Sequence, residues 1–350
     1  MRIEARGTPS HTRTLSVAVL DDGPDRVQVR GTLIDLRKRG LVPMAGDLQT
    51  AGVIHHMHVE ATVARRGPSL ETIRADQPRV AFEPAQGTGG ECCRDPARRI
   101  EALAGSPLDA EFAKRLGGAI GGPRGCSHVQ TLAQLAGASA RTALEVDAEL
   151  HGERVARAPG QRIFQRSLSL DGLENGGHGL SLSLQLADVH FGTAAHADDP
   201  VARLARQREI RAHADVDLGR MAIRGIAAAE RISDAGSFQS APWEPRDVAF
   251  LEGHHALGGM ARTLFAKLAD TPADRPLLDA LLNLAPTVIQ CIPALTDHWR
   301  RWREAAAGGG TGDGAPSMMA GGGMVDSCYM WRRDGYLHRR LATGGGGTWR

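Results

Sequence analysis

Gly125-Cys126-Ser127-His128 sets a thiol and an imidazole two residues apart. It closes the glycine-rich turn Gly117-Gly118-Ala119-Ile120-Gly121-Gly122-Pro123-Arg124. A Cys-x-His pair can hold a metal or arm a thiol. If a helix begins near Ser127, Cys126 stands at the positive end of its macrodipole, which favours the thiolate that both roles need. The glycines would let backbone N–H groups approach an anion or an oxyanion. The plain alternative is a tight turn with a buried Cys and a surface His. Spacing alone does not decide, because structural zinc pairs usually have two or more intervening residues.

The stretch Ile54-His55-His56-Met57-His58-Val59-Glu60 carries the other imidazoles. On a strand, His55 shares the apolar face with Met57, Val59, Ala61 and Val63, and a buried His there must find a partner. His56, His58 and Glu60 fall on the opposite face, as a metal-gripping row or as a solvated one. The five cysteines (Cys92, Cys93, Cys126, Cys291, Cys328) are odd in number and scattered. In a reducing compartment they read as ligands, nucleophiles or core residues rather than a disulfide framework. Cys291, in the apolar run Val288-Ile289-Gln290-Cys291-Ile292, reads as core. There is no Walker loop, no Gly-x-Gly-x-x-Gly, no His-Glu-x-x-His and no Gly-x-Ser-x-Gly.

The elements that must position these groups are strands first and helices second. Arg13 to Leu20, Val27 to Leu36, Ile54 to Val63 and Leu70 to Asp76 alternate in part, with Asp22-Gly23-Pro24-Asp25 as a hairpin connection. Helical spacing follows over Pro96 to Leu116, split at Gly105-Ser106-Pro107, and over Ser127 to Leu150. The fold class is α+β. The second half repeats the order: Arg166 to Gly172 and Leu180 to Asp188 echo the first two strands. Met221 to Ala227 falls opposite Met57 to Val63, and Leu281 to Ala285 opposite the Leu132 helix. A tandem duplication into two related halves follows, paired as an internal pseudo-dimer. On that alignment Gly219 stands opposite His55, Ala222 opposite His58, and about Arg275 and Leu277 opposite Cys126 and His128. Copy two would thus have lost the site. The expected organisation is 1–150 as the site-bearing repeat and 151–304 as its diverged copy. A Gly/Ala-rich linker at 305–323 and a C-terminal docking segment and tail at 324–350, entered by a strand, complete it.

With 350 residues the chain can bury a large core, and its net charge of +2 with interspersed signs suggests no polyanion partner. Few aromatics argue against a base-stacking platform, so no nucleic acid is expected. No membrane span and no signal peptide are expected either, which points to the cytoplasm.

These residues also resemble a known family. His11-Thr12-Arg13, Gly31-x-Leu33-x-Asp35, Ile54-His55-x-Met57, a Cys ten residues before Leu103-x-Gly105, Gly121-Gly122-x-x-Gly125-Cys126-Ser127-His128 and Asp326-x-Cys328 follow the order of the bacterial domain of unknown function 2889. The resemblance spans most of 11–145 plus the Cys328 segment. It implies a site of His55, Cys93, Cys126, His128 and Cys328. The chain departs from the pattern at His56, where Asp is usual, and at Tyr329, where His is common.

Three functions remain in play. The first is a metal-dependent, zinc-class hydrolase or lyase acting on a small organic acid, ester or thioester in bacterial catabolism. Cys126, His128, His55, Cys93 and Cys328 would be its candidate ligands, with His55, Cys126 and His128 carrying the chemistry. The second is a metal-free enzyme with Cys126 as nucleophile. The third is a non-catalytic structural-metal or binding protein. The expected partner is a small-molecule substrate, with a homo-oligomer in view.

Overall fold

The computed structural model describes residues 7–40, 42–44, 47–152, 157–176, 179–193, 203–234, 240–295 and 325–342. The expected linker at 305–323 lies outside them.

Among the described residues, eleven strands run in chain order: β1 (Thr8–Asp21), β2 (Arg26–Arg37), β3 (Val42–Met44), β4 (Asp47–Gln49), β5 (Gly52–Ala64), β6 (Leu70–Arg79), β7 (Arg162–Glu174), β8 (Gly179–Phe191), β9 (Leu204–Asp217), β10 (Ala222–Asp234) and β11 (Glu244–Arg246). The helices are α1 (Phe112–Ile120), α2 (Ser127–His151), α3 (Met260–Leu268), α4 (Arg275–Leu281), α5 (Leu284–Ala294) and α6 (Tyr336–Ala342). Nine strands make one antiparallel sheet in the order β11-β10-β9-β8-β7-β1-β2-β5-β6, and β3 and β4 pair separately. The α+β class is therefore observed, with both halves in one sheet.

Alternation explains which face is covered. Along β1, Leu15, Val17 and Val19 are fully buried while their neighbours stay partly or fully open. The same holds for Val27, Val29 and Leu33 on β2 and for Met57, Val59 and Val63 on β5. Helix α2 lies across β1, β2, β5 and β7, and α5 across β1, β7 and β2. At Gly31 a Cβ would stand 3.1 Å from Leu132 Cδ1, so the missing side chain is what lets α2 lie this close. Because α5 crosses the seam between halves, the second half roofs part of the first.

The two halves share their strand registers. Adding 153 to the pair Arg13↔Asp35 gives Arg166↔Asp188, which also pair. Leu33↔Met57 becomes Leu186↔Ile210, and Val59↔Ala75 becomes Ala212↔Ala228. Leu15 and Leu168, also 153 apart, face each other where β1 meets β7. This register corrects the sequence alignment. The third strand of the second half is β9, so Arg208 and not Gly219 stands at the position of His55, and Arg211 at that of His58. Met221 to Ala227 instead opens the fourth strand. The sequence reading passed over β9 because Arg206, Gln207, Arg208, Glu209 and Arg211 hide its period in charge.

The C-terminal segment also differs from expectation. It docks as a short 3-10 turn over Tyr329–Trp331 followed by α6, not as a strand. Its anchor points are all in the first half: the Tyr329 N–H donates to Gly125 O at 2.8 Å, Arg332 pairs with Glu91 at 2.5 Å, and Trp331 meets Phe82 edge-on.

Candidate metal centre

Three neighbouring strands put one charged or polar residue each on the core face in a single row: Arg13 on β1, Asp35 on β2, His55 on β5. Asp35 is fully buried and is the hub. Its Oδ1 accepts from His11 Nε2 at 3.1 Å, and both of its oxygens accept from Arg13 Nη1, at 3.1 and 3.0 Å. His55 Nδ1 stands 3.1 Å from Oδ2. The first turn of α2 adds His128, whose Nε2 is 3.4 Å from Oδ2 and whose ring lies 3.9 Å from that of His55. Helix α5 contributes Gln290, whose amide nitrogen is 2.9 Å from His128 Nε2.

Electrostatics follow from burial. Removal from water pushes the Asp35 carboxyl up, but the charge of Arg13 and the hydrogen bonds from His11 and His55 outweigh that and hold it well below the usual range. Burial, aided by the charge of His55, takes His128 well below 6.5, so it is a neutral imidazole. Its Nδ1 faces Cys126 Sγ at 3.8 Å; with the ring proton there, the one lone pair on Nε2 goes either to the Gln290 amide N–H or to a cation.

The ligand atoms of Asp35, His55 and His128 all lie within 4.8 Å of one another, and among the described residues this is the one such group of three or more. Ligands about 2.0–2.2 Å from a tetrahedral ion stand roughly 3.3–3.5 Å apart. The 3.1 and 3.4 Å edges at Oδ2 are close to that. His11 and Arg13 would be the outer partners that orient the carboxylate. The residues present fit a divalent transition metal.

Each residue singled out in the sequence has a definite place. His55 and His128 are in the group, with Cys126 against the far nitrogen of His128. Cys93 lies close enough to Cys126 and Cys328 for their charges to reach it, after burial, in raising its pKa. None of the three cysteines is a member of the Asp35–His55–His128 group. The expectation of a Cys126 thiolate is overturned. Helix α2 does start at Ser127, and the N–H groups of Val129 and His128 do favour the anion, but burial outweighs them and pushes the thiol up to about 12. The glycine turn is packed rather than open: a Cβ on Gly125 would meet Ile120 O at 2.2 Å. His56 and His58 meet edge-on, and Glu60 pairs with Arg74 on the open face. Cys291 is fully buried. Sequence reading missed His11, Arg13, Asp35 and Gln290 as site residues. Arg13 and Asp35 carried a signal, since both interrupt the apolar phase of strands recognised as such.

A cleft of about 390 Å³ opens between α1 and α2 on one side and α3, α4 and α5 on the other, bordered by Gln130, Asp279 and Asn283. It is not lined by Asp35, His55 or His128. The stretch Pro272–Ala294 is long and apolar enough to cross a membrane by length and composition, yet more than half of it is buried in the fold.

Residues 11–143 match the family model described as Protein of unknown function (DUF2889). The match takes in β1 to β6, α1 and most of α2, and with them every member of the cluster except Gln290. No curated protein matches the chain.

Proposed function

We propose that this chain is a metal-dependent hydrolase or lyase acting on a small organic acid, ester or thioester, with a zinc-class ion held by Asp35, His55 and His128. One observation carries the reading: a carboxylate oxygen and two imidazole nitrogens converge on the covered face of the sheet, inside the family-matched segment. One carboxylate with two imidazoles suits zinc, as it also suits non-haem iron(II). Such an ion, when bound, polarises a carbonyl or lowers the pKa of a water.

The rest is done by the chain. Arg13 and His11 hold Asp35 in place, and Cys126 faces the Nδ1 of His128. His128, at 15 % side-chain exposure, is the member of the group that meets solvent. A thiol-nucleophile enzyme is disfavoured, because a thiol titrating at about 12 is not ionised at neutral pH. A structural metal shares the same ligands and would show zinc occupancy without turnover. We read the shared registers as an internal duplication whose second copy, with Arg208 in place of His55, keeps the sheet and lacks the ligands. All five cysteines are free, in keeping with a cytoplasmic setting.

The experiment is zinc occupancy in the wild type against His128→Gln, with hydrolysis of short esters and thioesters screened on the loaded protein. Absence of zinc from the wild type overturns the reading.

A further inference from the structure

Arg13 and Arg166 hold the same place in the two halves, each opposite a buried Asp on the next strand. Their surroundings differ. Arg166 spends all three nitrogens on two carboxylates: Nε and Nη2 donate to Asp188 at 2.6 Å each, and Nη1 donates to Asp279 at 2.5 Å. Arg13 spends only Nη1, on Asp35. Its Nε and Nη2 are buried without a partner. The Arg13 side chain is fully buried, so solvent does not satisfy these donors.

The charge count points the same way. Asp35 already answers Arg13, and a divalent ion beside it would leave the centre strongly positive. Buried charge needs a counter-charge. In the second half, Asp279 supplies a second carboxylate from α4. The first half has no acid there: His128, Gln290 and Cys291 come down from the roofing helices.

We infer that the centre takes a carboxylate-bearing ligand, whose charge complements Arg13 as Asp279 complements Arg166. This rests on the metal reading for its full strength, since the ion adds to the positive charge, but the unpartnered donors are present without it. The substrate class narrows to small organic acids or their derivatives that keep a free carboxylate.

The test uses the full chain, zinc-loaded and chelator-treated, with malonate as probe and with chloride and inorganic phosphate at equal ionic strength. Malonate is expected to raise the melting temperature saturably by about 3–8 °C at 100-fold excess over its Kd, with phosphate weaker and chloride inert. Gln290→Glu places a resident carboxylate beside His128 and is expected to weaken the malonate response at least tenfold while the chain stays folded. Arg13→Gln is expected to abolish it, and Gln290→Glu covers the case in which Arg13→Gln does not fold. No malonate effect beyond chloride, or an equal effect in Gln290→Glu, overturns the inference. Zinc failing to bind while malonate still does would remove the metal reading and leave the anion site standing.

Discussion

His128 Nε2 lies 3.4 Å from Asp35 Oδ2, joining the first turn of α2 to the centre of β2. Nothing in the chain order foretells that contact, because the two residues are separated by the β3–β4 pair, by β5 and β6 of the sheet and by α1. It turns a turn motif and a strand motif into one buried centre, and it makes Asp35 answer to groups from β1, β5 and α2 together.

Asp35 is therefore a stability determinant as well as a candidate ligand. Asp35→Ala leaves the Arg13 guanidinium buried with no anion, a loss expected at about 3–5 kcal/mol. Asp188→Ala leaves Arg166 its second carboxylate, Asp279, and should cost less. Urea unfolding midpoints of the two variants check the order. Equal losses would mean that Asp279 does not compensate.

Cys126 should be inert as a nucleophile. Its thiol is buried and titrates at about 12, as does that of Cys291, while Cys328 is partly exposed. In native protein at pH 8, a thiol reagent should modify Cys328 first and leave Cys126 and Cys291 unreacted until unfolding. Rapid labelling of Cys126, located by peptide mapping, would revive the nucleophile reading.

The glycine turn offers a paired test. Gly125→Ala drives a Cβ to 2.2 Å from Ile120 O and should destabilise by about 1–3 kcal/mol. Gly118, seven residues earlier in α1, has open space around it, so Gly118→Ala should stabilise by up to about 1 kcal/mol. Thermal melts of both variants decide. A neutral Gly125→Ala would show that the turn is not packed against Ile120 as described.

Much of this was legible in the sequence. Alternation located β1, β2, β5 and β6, and the split at Gly105-Ser106-Pro107 separates the 3-10 stretch Ala97–Leu103 from α1. His55 and His128 stood out by type. What stayed hidden depends on tertiary pairing. Asp35 and Arg13 look like isolated charges in apolar strands until the register places them side by side. Gln290 reads as a polar accident in an apolar helix until α5 is seen to cross the seam. The β9 strand was lost because its first half packs charge against charge, as in the Arg206–Asp234 and Arg231–Glu209 pairs, and shows no apolar period.

His190 gives a pH dependence with a definite sign. Burial, offset in part by Asp188, lowers it from 6.5 to about 4, so it is neutral in the folded protein where the unfolded chain takes up a proton. Its contribution is fully present above pH 6.5 and is lost as pH falls from there towards 4, by up to roughly 3 kcal/mol. His11 and His128, also lowered by burial, act in the same direction. Stability measured from pH 7 to 4 should fall less steeply in His190→Gln than in the wild type. Identical slopes would remove His190 from the linkage.

The most direct measurement is zinc content per chain, by elemental analysis of untagged protein, for the wild type, His128→Gln and Cys126→Ser, with circular dichroism to confirm folding. The metal centre predicts about one ion per chain in the wild type and in Cys126→Ser, and at least tenfold weaker binding in His128→Gln. A folded wild type that takes up no zinc, or zinc lost from Cys126→Ser and kept by His128→Gln, would contradict it.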